Sequence, residues 1–126
     1  MIDNPYNKWS DINSSLPAVE IDVLAPPPSS GTRDAFVELV MHSVCKKKYE
    51  MDKKTYKANC SALREDGAVT EVGENDNLII EKLADNSSRF GIFGYSFLDQ
   101  NRDRVQGSIV DGVGPSMDTI ADGSYK

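Results

Sequence analysis

The stretch Ala25-Pro26-Pro27-Pro28-Ser29-Ser30-Gly31-Thr32-Arg33-Asp34-Ala35-Phe36 decides how the rest of the chain is read. Three prolines cannot continue a helix or a central strand, so they carry the backbone as a stiff, extended segment. Before them, Ile21-Asp22-Val23-Leu24 has a largely apolar face and reads as a strand. After them, Phe36, Leu39, Val40 and Val44 fall at i, i+3, i+4 and i+8, a single apolar stripe on a helix that ends near Lys46–Lys48. The segment is therefore strand, rigid turn, helix. Ser30 and Thr32 carry hydroxyl donors, and Gly31 lets a ligand approach the backbone closely. The first amides of a helix have no partner within it and point outward along the positive dipole end. An anion is accommodated by that geometry, and Arg33 adds a forked cation suited to a tetrahedral oxyanion. A plainer reading is a helix cap by Ser30 or Thr32, with Arg33 paired to Asp34 or Glu38. Spacing alone leaves both readings open.

Working outward, Asp52 is a good cap for a second helix, with Tyr56, Cys60 and Leu63 on its apolar face. Gly67 breaks that pattern, and Ala68–Val72 alternates as a strand. Gly73–Asn77 is a turn into a helix carrying Leu78, Ile79, Ile80 and Leu83, capped by Asn75 or Asp76. Phe90–Tyr95 is apolar without alternation, which suits a strand buried on both faces. Val105–Val110 reads as a further strand. Pro115-Ser116 opens a last helix, Met117 to Ala121, closed by Gly123. Near the start, Trp9, Ile12 and Leu16 pack one side of a short helical turn. The order β-α-α-β-α-β-β-α favours a layered α/β domain, and 126 residues fit one domain.

Composition excludes several functions. The formal charge of −6 argues against nucleic acid and anionic membrane surfaces, which demand clustered Lys and Arg. The run Lys46–Lys48 is a solvated helix C-terminus. No apolar run approaches the roughly 20 residues of a membrane span. The N-terminus shows no charged n-region, apolar h-region and cleavage site, as in a cytosolic chain or one whose leader has been removed. One histidine, His42, and the absence of Cys-x-x-Cys argue against a metal site. Cys45 and Cys60 are either free buried thiols or one disulfide, which can form if the two helices fold back on each other. Asp99-x-Asn101-x-Asp103 echoes a calcium loop, but Arg104 and Val110 stand where Gly and Glu are required. A hydrolase would need Ser30 and His42 together, and along one helix they lie roughly 18 Å apart.

Ser30-Gly-Thr-Arg-Asp-Ala-Phe36, preceded by prolines, resembles the phosphate-binding subunits of bacterial phosphate ABC transporters. So do Lys8-Trp-Ser-Asp-Ile-Asn13 with Leu16-Pro17, Arg64-Glu-Asp-Gly67 and Gly73-Glu-Asn-Asp-Asn-Leu78. Gly91-Ile-Phe-Gly-Tyr-Ser-Phe97 leading to Leu98-Asp-Gln-Asn101, then Val105-Gln-Gly107 and Ile120-Ala-Asp-Gly-Ser-Tyr125, complete the series in order.

The resemblance implies one lobe of a type II periplasmic-binding-protein fold, a central sheet flanked by helices. Residues 1–126 would be a single domain equivalent to the middle, second lobe. The family's proteins are about twice this length, so the resemblance implies that the other lobe would be missing here. The implied function is binding of inorganic phosphate, without catalysis or cofactor, as the periplasmic component of a phosphate transporter. Its partners are the missing first lobe and a membrane permease, with no nucleic acid. The donors carried over are Ser30, Gly31 and Thr32, with Arg33 as the cation. Many relatives place an Arg and an Asp just before Ser-Gly-Thr; Pro26 and Pro28 stand there here, so Arg33 supplies the cation from the other side. The family works outside the cytoplasm, which favours the Cys45–Cys60 disulfide. Selectivity against sulfate needs an acceptor for the phosphate proton, supplied by Asp34 or by the missing lobe. The rival readings are another oxyanion such as sulfate or molybdate, or a protein-interaction module with a vestigial site.

Overall fold

A computed structural model describes residues 4–49 and 52–125. Among them, three short parallel strands form a sheet in the order β2-β1-β3. The central strand β1 (Val23–Ala25) pairs with β2 (Val69–Glu71) on one side and β3 (Phe90–Gly91) on the other. The expected α/β class is what is observed. Each strand feeds a helix: α2 (Gly31–Phe36) after β1, α5 (Asp76–Ala84) after β2, and α6 (Tyr95–Gln100) after β3. A short turn, α1 (Trp9–Ile12), precedes the sheet. The helices α3 (His42–Tyr49) and α4 (Lys53–Asn59) lie between β1 and β2, and α7 (Met117–Ala121) closes the chain.

The core forms between sheet and α5. Leu24, Val72 and Ile79 are buried together, with Leu83 and Phe93 packed against them. Ile79 and Ile80 are the inward pair of α5, whereas Leu78 stays 41% exposed. The helix comes this close because β3 carries Gly91. A Cβ there would stand 2.8 Å from both Ile79 Cγ2 and Leu83 Cδ1. Trp9 packs its ring 4.8 Å from that of Phe90 on β3.

The caps follow the sequence closely. Asp52 accepts the amides of Lys54 and Thr55, both at 3.0 Å. The Thr55 hydroxyl, foremost, holds the Asp52 carboxyl below its ordinary value. Asn75, not Asp76, caps α5 by accepting the Asn77 amide at 3.0 Å. Ser116 and Thr119 form a reciprocal capping box at the start of α7.

Three expectations fail. The apolar stripe after Ser30 does not face the core: Leu39 is 73% and Val44 59% exposed. Residues Val37–Met41 form a π-turn between α2 and α3. Its wider winding rotates later residues off the face that a 3.6-residue period assigns them. The buried residue of α2 is instead Arg33. The apolar stretch Phe90–Tyr95 gives only a two-residue edge strand, with Phe90 48% exposed. The chain then turns at Gly94 into α6, whose first residue, Tyr95, the sequence reading placed in the strand. Val105–Val110 is not a strand either. Asp111 and Gly112 both have positive φ, 51° and 80°, and join Val110 to Val113 in a two-residue turn. That is the Asp-Gly hairpin signal on a single bridge. Of the second helix's expected face, Cys60 is buried and Leu63 half-buried, while the side chains of Tyr56, Lys47 and Lys48 lie outside the described part.

Cys45 on α3 and Cys60 just after α4 form a disulfide, with Cα atoms 6.0 Å apart. It closes a loop of 15 residues in sequence separation. Reduction, or Cys60→Ala, should lower stability by about 3 kcal/mol, read as a fall in the urea midpoint; an unchanged midpoint counts against the bond. Gly91→Ala should cost about 1–3 kcal/mol by overpacking α5 against β3, measured by the same denaturation.

Candidate anion-binding site

In open α/β sheets, ligands bind outside the carboxyl ends of the strands. Here β1 runs out into a buried Pro26 and the Pro27-Pro28 segment. The Ser30 amide donates to the Pro27 carbonyl at 2.9 Å, closing a tight turn. Ser30 is extended, at φ −83° and ψ 132°, and its carbonyl accepts the Asp34 amide at 3.1 Å. It is thus the N-cap residue of α2 by backbone. Its side chain nevertheless makes no capping hydrogen bond.

That omission stands out against the neighbouring helix starts. Asn75 caps α5. The Gly94 amide, at the start of α6, donates at 3.1 Å to the carboxylate of Asp76, a residue only 5% exposed. A carboxylate therefore already sits at the α6 end. At α2 no described side chain plays that part, and the plain capping reading of Ser30 is not what the backbone uses. Gly31 is exposed, and a Cβ built on it would meet nothing within 4 Å. Ser30 and Thr32 are half-buried beside it.

Arg33 is 8% exposed. Its Nη1 donates to the Pro26 carbonyl at 3.0 Å and pairs with Glu71 Oε1 at 3.1 Å. The sequence-near acids Asp34 and Glu38 are not its partners in this ion pair. Glu71 is the last residue of β2, so Arg33 ties the first turn of α2 to the carboxyl ends of two strands. The engaged nitrogen leaves Nε and Nη2 as the donors a ligand at this edge could use. On the other flank, Ser29 Oγ donates to Glu74 Oε1 at 2.5 Å. Neither Glu71 nor Glu74 was assigned to the anion site by sequence reasoning. Only a long-range contact brings them here, across 38 and 45 residues.

Ser30 and His42 are not brought together. His42 Nε2 lies 2.7 Å from Ser61 Oγ. That hydroxyl donates at 2.5 Å to the Lys57 carbonyl, so the ring nitrogen is the donor and Ser61 is not activated as a nucleophile. Asp99 of the calcium-like segment pairs with Arg102 at 3.2 Å. Among the described residues, no group of three or more His, Cys, Asp or Glu could hold a metal ion. None of the described helices is long and apolar enough to cross a membrane.

The chain belongs to the PBP superfamily domain family, whose model matches residues 3–126. Phosphate-binding protein PstS of Staphylococcus haemolyticus is 34% identical over 122 residues, covering 93% of this chain and 32% of its own length. That of Staphylococcus saprophyticus is 33% identical over the same span. A crystal structure of a possible phosphate binding protein from Planctomyces limnophilus superposes with a TM-score of 0.68 at 25% identity. It covers 98% of this chain and 39% of the other. The chain thus spans about a third of the length of the curated relatives it matches, so they are nearer three times than twice as long.

Arg33 and Gly31 should separate in a stability assay. Arg33→Met should cost about 1–3 kcal/mol, because it removes a charged donor from a buried carbonyl. Gly31→Ala should leave stability unchanged or raise it by up to about 1 kcal/mol, since Ala fits the space and favours helix. Equal losses in both would contradict this account.

Proposed function

We propose that this chain binds inorganic phosphate, as one lobe of the extracytoplasmic solute-binding component of a phosphate ABC transporter. The observation that carries the reading is the α2 start. Its N-cap side chain makes no capping bond, at the carboxyl edge of a parallel sheet, in a Ser30-Gly31-Thr32 turn. The amides of Gly31 and Thr32 and the hydroxyls of Ser30 and Thr32 donate to phosphate oxygens. Arg33 contributes through Nε and Nη2 while Nη1 keeps its two protein partners. The relatives named for phosphate binding support the choice of ligand. Residues 1–126 act as a single domain, the second lobe of a two-lobe protein. The other lobe and a membrane permease are its partners, and no chemistry is performed on the anion.

A lobe alone offers half of a cleft's donors, so its affinity is weak. Calorimetry with inorganic phosphate should show binding well short of the sub-micromolar range, and tight binding would contradict the two-lobe cleft. Thr32→Ala should weaken it by about tenfold or more, the loss of a hydroxyl hydrogen bond to a charged group, and Gly31→Ala should weaken it by placing a methyl group where the ligand approaches the backbone. Unchanged titrations in both would remove the site from this helix end.

A further inference from the structure

The formal charge of −6 is unevenly spread. Residues 46–57 hold six lysines against two acids, Glu50 and Asp52, so this segment carries +4 and the rest of the chain −10. Lys46 lies on α3, Lys54 and Lys57 lie on α4, and all three are exposed. The Cys45–Cys60 bond holds α3 to the segment after α4, so these lysines belong to one unit. The same unit presents apolar surface. Leu39 is 73%, Val44 59% and Val40 40% exposed. Among the described residues from Val37 to Leu63, Cys60 alone is buried. In sequence, Lys47 and Lys48 follow Val44 by three and four positions, the spacing that continues one helix face. The acids of this rod take another row: Asp34 and Glu38 line, with His42, the groove shared with Lys57 and Ser61 on the α4 side.

Neither feature serves the fold, since exposed Leu and Val contribute no burial and clustered lysines repel one another. Together they fit a bilayer surface, where apolar side chains enter the headgroup boundary and lysines meet anionic headgroups. We infer that the α3–α4 unit, with the stripe Leu39, Val40 and Val44, is a docking surface for an anionic lipid bilayer, resting on it without spanning it. The charge of the whole chain does not forbid this. Glu71 and Glu74 are held at the other end of the rod, by Arg33 and Ser29. At 1.5 Å per residue, Lys46 stands roughly 20 Å along the rod from Gly31, which is about two Debye lengths at roughly 0.1 M salt. A soluble polyanion would engage the lysines and leave the apolar stripe unused. A second copy of this chain would set one +4 segment against another. A bilayer uses both features at once.

The test is sedimentation of the oxidised chain with vesicles of phosphatidylcholine alone and of phosphatidylcholine mixed equally with phosphatidylglycerol. The unaltered chain should pellet with the mixed vesicles, not with phosphatidylcholine alone, and less as salt is raised. Lys54→Gln combined with Lys57→Gln should weaken this binding by more than tenfold, about fivefold for each charge. Leu39→Ser combined with Val44→Ser should weaken it by about tenfold or more. Both residues are exposed, so the urea midpoint of that variant should not fall. Absence of binding to the mixed vesicles overturns the proposal. Binding that the Leu39 and Val44 substitutions leave unchanged also overturns it, and marks a surface for polyanions in general. Pelleting without vesicles that those substitutions abolish overturns it in favour of contact between copies. The phosphate reading stands or falls separately, on the calorimetry described above.

Discussion

One guanidinium nitrogen organises the carboxyl edge of this sheet. Nη1 of Arg33 meets the Pro26 carbonyl and the Glu71 carboxylate at once. Pro26 has left the ladder of β1, and being buried its carbonyl must find a donor within the protein. Arg33 is buried for the same reason that it is tolerated, since a charge removed from water needs a partner in place. One side chain therefore satisfies a stranded carbonyl, pairs with the end of β2 and fixes the first turn of α2. Without it, the triple proline would set the direction of the chain but not the placement of the helix it delivers.

The same constraint explains why the rod from Gly31 to Tyr49 is not an ordinary core helix. Its first turn is anchored through a polar contact, so apolar residues there are not needed for docking. The π-turn at Val37–Met41 then redirects the face, and α3 is held to the segment after α4 by the Cys45–Cys60 bond. The apolar burial lies instead between Leu24, Val72 and α5. Two mechanisms thus support one small domain: packing around α5, and cross-linking around α3. Cross-linking suits a region with little core of its own, because it acts on the unfolded chain and does not depend on buried area.

Legibility in the sequence followed the range of the interaction. Caps and turns are local, so Asp52, Asn75, Ser116 and Gly123 were readable from residue type and spacing. The strand, proline turn and helix around Ser30 were readable for the same reason, as was the α/β class. The π-turn has no pattern at a 3.6-residue period, so Leu39 and Val44 were assigned to a core they do not enter. Phe90–Tyr95 misled because apolar content does not distinguish a long central strand from a two-residue edge followed by a helix start. At the candidate site, Arg33 was found, but its partner was sought at Asp34 and Glu38. Glu71 lies 38 residues away and reaches it only through parallel pairing of β1 with β2.

Charge alone would be a poor means of anion recognition here. The chain carries −6, Arg33 is paired, and Glu74 adds a negative charge at the turn. What distinguishes the α2 end is direction. Backbone amides and hydroxyls set at fixed angles favour an acceptor of one shape at one point, whereas a field of mobile lysines favours any anion and is weakened by salt. A turn whose cation is already paired gives up long-range attraction and keeps the orientation-dependent part of an interaction.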